Sequence, residues 1–191
     1  MHGDALTHMQ GRCSLCPNYR RPVPSSGPTP CRVMFLGEAP GRSEDETGEP
    51  FCGKTGIELN QTYLPILGLP RSEVYVANAV QCSERDYSNP TAAAAWSCAG
   101  MHLAPLLEKV KPEILVPMGQ VACSLFPEIN LNLDHGLPCV GKWGAWKGCV
   151  VPMYHPSAGL HQTSFMIPLQ QDFAALREFI RRLDRETSNS V

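Results

Sequence analysis

Four short apolar runs, at residues 32–36, 74–77, 114–118 and 149–153, alternate with longer stretches of helical spacing, and this alternation is what most constrains the fold. Each run is rich in residues that suit a buried strand and is flanked by turn residues or helical pattern. The stretches at roughly 57–67, 91–110, 120–126 and 169–183 place apolar residues on one helix face. Strand and helix in alternation predict an α/β fold, with a parallel sheet covered by helices on both faces. Its site is then expected at the loops that leave the carboxyl ends of the strands.

A chain of 191 residues suits one domain around one sheet. Residues 1–30 read as an irregular segment, because Arg20-Arg-Pro-Val-Pro-Ser-Ser-Gly-Pro-Thr-Pro30 holds too much proline for a helix or central strand, and it should lie over the surface. Residues 184–191, polar up to the final Val191, are expected to form a disordered tail. No apolar run is long enough to span a bilayer, and the start of the chain lacks the basic and apolar stretches of a secretory signal. A cytoplasmic monomer is therefore expected. In that reducing compartment nine cysteines are read as thiols or metal ligands rather than a disulfide framework. A net charge of −2 argues against broad nucleic-acid binding, although a local basic rim suffices for an enzyme that grips one nucleotide.

Chemistry-bearing residues gather just beyond the predicted strands. After the first comes Gly37-Glu-Ala-Pro-Gly41, then Glu44-Asp45, then Gly48-Glu-Pro-Phe-Cys-Gly-Lys54. Glycines let a ligand approach the backbone, acidic groups can orient water, and Phe51 offers a flat face to a base. A surface turn with Phe51 in the core would read the same way. Asn78 follows the second strand, where its amide can both donate to and accept from one base edge, or merely cap a turn. His155 opens Tyr154-His-Pro-Ser-Ala-Gly-Leu-His161 after the last strand, as a hydrogen-bond donor to a leaving group or as a structural histidine. Cys13-x-x-Cys16, Cys82 and Cys98 could bring four thiolates to one metal, and spacing alone does not choose between zinc and a four-iron cluster. Cys31, Cys52, Cys123, Cys139 and Cys149 read as small buried hydrophobes.

Taken together, the Gly37–Gly41 turn, Glu44-Asp45, Pro50-Phe-Cys-Gly53, Asn78, the four spaced cysteines and His155-Pro-Ser157 resemble the family 4, iron–sulfur uracil-DNA glycosylases. The resemblance covers residues 13 to about 180. It implies a three-layer α/β/α sandwich around a four-stranded parallel sheet, and a structural 4Fe-4S cluster on Cys13, Cys16, Cys82 and Cys98. It also implies base excision repair, in which uracil is flipped out of uracil-containing DNA and its N-glycosidic bond is hydrolysed to leave an abasic site.

By the same resemblance, Phe51 stacks on the flipped base, Asn78 reads its polar edge, and backbone near Gly37 and Glu38 lines the pocket. His155 would stabilise the departing uracil. Glu44 is the first choice for positioning water or facing the cationic sugar, with Asp45 and Glu38 behind it, since Ala39 stands where relatives carry an aspartate. Leu160 would wedge into the duplex beside Ser157, and Lys54, Arg42, Lys142 and Lys147 are candidates for phosphate contact. Two alternatives stand beside this reading: an inactive iron–sulfur DNA-binding or interaction module of the same fold, and a glycosylase for another deaminated base such as hypoxanthine.

Overall fold

The computed structural model describes residues 19–189. In chain order these form β1 (Val33–Gly37), α1 (Arg42–Thr47), α2 (Lys54–Glu58), α3 (Leu64–Leu67), β2 (Val74–Asn78), α4 (Ala92–Val110), β3 (Ile114–Pro117) and α5 (Gln120–Cys123). There follow α6 (Leu131–Asp134), β4 (Cys139–Trp143), β5 (Trp146–Val150), α7 (Pro156–His161) and α8 (Met166–Ser188). A π-helical stretch, Leu59–Tyr63, joins α2 to α3 just ahead of Pro65, which has no N–H to give to the turn before it.

The sheet runs β2-β1-β3-β5-β4. Strand β1 pairs in parallel with both β2 and β3, and β3 with β5, whereas β4 lies antiparallel to β5 at the edge. The expected four-stranded parallel sheet is thus a mixed five-stranded one. Strand β4 reads Cys-Val-Gly-Lys-Trp, whose glycine and exposed Val140 and Lys142 blunt the apolar signal, as suits an edge strand. Gly144, with φ +59°, makes the tight turn that folds β4 onto β5. The last strand also begins earlier than the run at 149–153. Beyond Val150 the chain still donates to β3, from Val151 N to Leu115 O (2.9 Å) and from Met153 N to Pro117 O (2.9 Å). Pro152 sits where its missing N–H would face the side that β4 leaves uncovered.

Alternation along β1 divides the interior into two cores. Met34 and Leu36 pack with Leu103, Leu107 and Val110 of α4, while Val33 and Phe35 pack with Tyr63 and with Phe173 and Leu176 of α8. Helices therefore flank both sheet faces. In the second core Phe173 stacks between Tyr63 (4.9 Å) and Phe35 (5.9 Å), an arrangement that adds to the area each ring buries. Helix α4 starts as its sequence suggests, with Thr91 Oγ1 accepting from Ala94 N at 3.1 Å.

Three other expectations change. The helix expected over 120–126 is only the single turn α5, and residues 124–126 close it as a turn. Residues 184–188, expected to be disordered, are the last turn of α8. Asp184 receives Arg32 Nη1 at 2.6 Å, and the Thr187 and Ser188 hydroxyls donate back to the carbonyls of Leu183 and Asp184, so polar contacts hold an end that has no apolar face. The described part of the proline-rich segment lies on the surface as expected, but as a strap along the open edge of β2. Ser26 and Val76 exchange backbone bonds of 2.9 and 2.8 Å, Val23 N donates to Gln81 O (2.8 Å), and Val23 is buried. The strap satisfies an edge that would otherwise invite another chain. Among the described residues no helix is long and apolar enough to cross a membrane.

Candidate active site

Because β1, β2, β3 and β5 are parallel, their carboxyl ends open on one side, and a cavity of about 400 Å³ lies there. Glu38, Glu44, Phe51, Asn78 and His155 all line it, so residues far apart in sequence share one space.

The convergence begins at Gly37. It is the register partner of Asn78, and Ala79 N→Gly37 O (2.8 Å) and Val80 N→Glu38 O (2.9 Å) lock the two strand exits together. A Cβ on Gly37 would stand 2.5 Å from Asn78 Oδ1 and 2.9 Å from Phe51 Cζ, so the bare α-carbon is what lets amide and ring come together. The Asn78 carbonyl accepts Gln81 Nε2 at 2.8 Å, and the side chain is almost wholly buried. Phe51 holds φ +58°, a costly conformation for an aromatic residue. It is over-determined from below, since any side chain at Gly56 would overlap the Phe51 carbonyl.

His155 caps α7 and places Nδ1 2.7 Å from Ser157 Oγ. The residue is half-buried and lines the cavity, and desolvation lowers its pKa from 6.5 to about 4. It is a neutral imidazole at neutral pH, and if Ser157 donates to Nδ1 the proton sits on Nε2.

The carboxylates divide. Glu38 Oε1 accepts Val121 N at the start of α5 (3.0 Å), and Gly119 gives it room beside the His155 β-carbon. Burial raises its pKa, with the Val121 bond opposing. Glu44 is buried, accepts Gly53 N at 3.1 Å, and lies against the α-carbons of Gly41 and Gly53, bracing the loop that carries Phe51. Asp45 does not line the cavity; it takes Arg20 Nη1 (3.2 Å) and the Tyr87 hydroxyl (3.1 Å).

Lys54, Ser157 and Arg42 line the cavity, and Leu160 stands nearby on α7, about half exposed. Lys142 and Lys147 do not join them. They face each other across the β4–β5 hairpin, near the amino end of β5, so the sheet separates them from the site. Sequence reasoning missed Tyr87, Ser88 and Asn89, which also line the cavity; the only local cue was the Asn89-Pro90 turn dipeptide.

Of the predicted metal ligands, Cys13 and Cys16 lie outside the described residues. Cys98 is buried on α4 and accepts Gln81 N at 3.4 Å, the kind of N–H contact that suits a thiolate sulfur. Cys82 pairs with Pro22 across the strap, and Arg20 N→Ser83 O (3.0 Å) pins the strap there. The described chain thereby starts beside Cys82, and the thiols of Cys82 and Cys98 are donors of the kind a sulfur-ligated iron cluster takes. Among the described residues no group of three or more His, Cys, Asp or Glu forms a metal site. Cys31 and Cys123 are buried thiols with pKa raised by desolvation, to about 12 for Cys123, as expected of packing residues; Cys149 is only part-buried at the margin of the second core, its pKa raised to about 11. Cys52 and Cys139 are part-exposed instead, Cys52 exchanging a 3.2 Å contact with Thr47 Oγ1 at the surface.

Comparison with known proteins agrees with this geometry. Residues 24–184 match the family model of the uracil DNA glycosylase superfamily. A type-4 uracil-DNA glycosylase of Saccharolobus solfataricus is 32% identical over 173 residues, covering 87% of this chain and 80% of that protein. The type-4 enzyme of Thermotoga maritima is 31% identical over 179 residues, covering 90% and 91%. A type-5 uracil-DNA glycosylase of Pyrobaculum aerophilum matches a shorter stretch, 31% identical over 118 residues and 54% of this chain. With a family model spanning most of its length and a cavity assembled from the loops at its strand exits, the chain belongs to the uracil-DNA glycosylase superfamily.

Proposed function

We propose that this protein is a monofunctional uracil-DNA glycosylase, which takes uracil out of the DNA stack and hydrolyses its N-glycosidic bond to leave an abasic site. The observation that carries this reading is the meeting of the Phe51 ring and the Asn78 amide over the bare α-carbon of Gly37, in one cavity with a neutral His155. Phe51 stacks on the face of the flipped pyrimidine and Asn78 pairs with its amide-like edge. As the glycosidic bond lengthens, the base gains negative charge and the sugar positive charge. A neutral imidazole with its proton on Nε2 donates to uracil O2 as that charge develops, and it costs no deprotonation at working pH.

The sequence reading leaves Glu44 either on the attacking water or facing the cationic sugar. The geometry favours dividing the work: Glu38, its pKa raised by burial, accepts the proton from water, while Glu44 faces the cationic sugar and holds the Phe51 loop. Leu160 fills the space the nucleotide vacates.

Cys82 and Cys98, together with Cys13 and Cys16, would hold a 4Fe-4S cluster. When bound, such a cluster supplies four strong links between distant segments. The strap is bonded along β2 through Ser26 and Val76, and it in turn holds α1 through Arg20 and Arg21, whose guanidinium groups donate to Asp45. We place the enzyme in the cytoplasm as a monomer acting on uracil-containing DNA.

The test is incubation with labelled DNA containing uracil, hypoxanthine or a thymine mismatch, followed by alkali to cut at abasic sites. Product from uracil DNA supports the assignment, and product from hypoxanthine alone would transfer it to another deaminated base. Absence of product from every substrate, with intact DNA binding, would leave the inactive binding module standing instead.

A further inference from the structure

A pyrimidine engaged by Phe51, Asn78 and His155 leaves other polar groups on the same cavity without a role: Arg42, Tyr87, Ser88 and Asn89. A nucleotide brings a sugar and phosphates as well as a base. We infer that Arg42, mounted on the ring of Tyr87, binds a backbone phosphate of the DNA strand whose nucleotide occupies the cavity. This rests on the glycosylase reading of that cavity and adds to it a binding group and the residue that positions it.

Tyr87 is the centre of this arrangement. Its φ is +60°, a conformation an aromatic residue adopts only when its surroundings impose it. The guanidinium carbon of Arg20 stands 4.7 Å from its ring centroid and that of Arg42 stands 5.1 Å away, both within cation–π range. The hydroxyl donates to Asp45 Oδ2 at 3.1 Å. With two guanidinium groups over its ring, Tyr87 serves as a mount for charge rather than a platform for a base.

Charge bookkeeping around the mount then singles out Arg42. Asp45, 7% exposed, spends its carboxylate on Arg20 Nη1 and the Tyr87 hydroxyl, and Arg20 also donates to the Arg85 carbonyl at 3.2 Å. Glu44 is turned to Gly53 and Glu38 to Val121. Among the described residues no carboxylate pairs with Arg42, which is exposed at the cavity. A planar cation held over an aromatic ring keeps its N–H fork free and pre-oriented, the arrangement that suits phosphate. Lys54, also exposed at the cavity, has no such mount.

The test is a salt titration of affinity, with duplex and single-stranded DNA carrying a non-cleavable uracil nucleotide, so that it does not depend on turnover. Arg42→Ala should weaken binding about tenfold and reduce the slope of log K against log salt by about 0.9 on duplex or about 0.7 on single strands, the value for one phosphate contact. Replacing backbone phosphates one at a time by neutral methylphosphonates should find one linkage near the uracil to which the wild type is sensitive and Arg42→Ala is not. Tyr87→Phe, which keeps the ring, should retain most of the slope, and Tyr87→Leu should lose it. An unchanged slope in Arg42→Ala, or the same linkage sensitivity in Arg42→Ala as in the wild type, overturns the inference. If Tyr87→Leu fails to fold, the exposed Arg42 variant decides alone. Cleavage of uracil DNA by the wild type is scored separately, so failure of the glycosylase reading and failure of the phosphate contact give different results.

Discussion

Replacing Gly37 by Ala adds one methyl group at the point where the site converges. The new Cβ would lie 2.5 Å from Asn78 Oδ1 and 2.9 Å from Phe51 Cζ. Carbon atoms prefer roughly 3.5–4.0 Å, so the ring tip must retreat by about 0.6 Å or more, and the amide by a comparable amount. Neither can do so freely: Phe51 sits over Gly56 in a left-handed conformation, and Asn78 is anchored through its carbonyl by Gln81. Overpacking of this kind costs about 1–3 kcal/mol, or a fall of several degrees in Tm at about 2–4 °C per kcal/mol for a chain of this size. The catalytic loss should be larger in proportion, because displacing positioning groups by about 1 Å can cost on the order of 100-fold in rate. Single-turnover cleavage of uracil DNA and a thermal melt measure the two effects. Gly100→Ala is the control: Gly100 lies inside α4 with nothing within 4 Å of where the new methyl group would stand, so alanine there should stabilise the helix by about 0.5–1 kcal/mol and leave cleavage alone. A folded Gly37→Ala protein that cleaves within a few-fold of wild type would refute the claim that Phe51 and Asn78 act together across a bare backbone.

His155→Ala should slow the chemical step by about 100-fold or more while weakening DNA affinity far less, since its donor acts on charge that develops only in the transition state; equal losses in both would count against that role. His155 should not titrate near pH 6.5, because its folded pKa lies near 4. A folded pKa below the unfolded one makes its contribution to stability complete above about pH 6.5 and lost as pH falls through about 4, and a rate step at 6.5 that vanishes in His155→Gln would show the imidazole to be charged instead. Glu38→Gln should remove an acidic limb of the rate profile lying above pH 4.5, whereas Glu44→Gln should lower the rate without erasing that limb; the opposite pattern returns the water to Glu44. Cys98→Ala should yield colourless protein with a lowered Tm if the cysteine holds iron, and unchanged iron and sulfide content after the exchange would exclude it. Phe173→Ala should cost about 3–5 kcal/mol by emptying the space between Phe35 and Tyr63, read in a denaturant melt, and a loss below about 1 kcal/mol would mean the core closes over the gap.

Much of the candidate site was legible because the residues lining its cavity stand at strand ends, which the backbone pattern exposes. Gly37, Asn78 and His155 each follow a run whose strand character is plain, and the rule for parallel sheets places such residues on one rim. Other features depend on contacts that no local pattern encodes. Asp45 sits next to Glu44 in sequence, yet one helical step turns it from the cavity to Arg20 and Tyr87. Lys142 and Lys147 have the charge for phosphate but lie on a hairpin at the wrong end of the sheet. Tyr87 has only the nearby Asn89-Pro90 turn as a local cue, because its place comes from the strap that brings Arg20 over it.

Four parallel strands alternating with helices, and the residues at their carboxyl rim, could be read from periodicity and turn chemistry, which are local properties of the chain. That β4 adds an antiparallel edge, that polar residues 184–188 finish a helix, and that Glu38, Glu44 and Asp45 differ in their partners follows instead from packing in three dimensions. Those outcomes turn on distances between segments remote in sequence, where burial and a single hydrogen bond or ion pair outweigh any preference the residue carries alone.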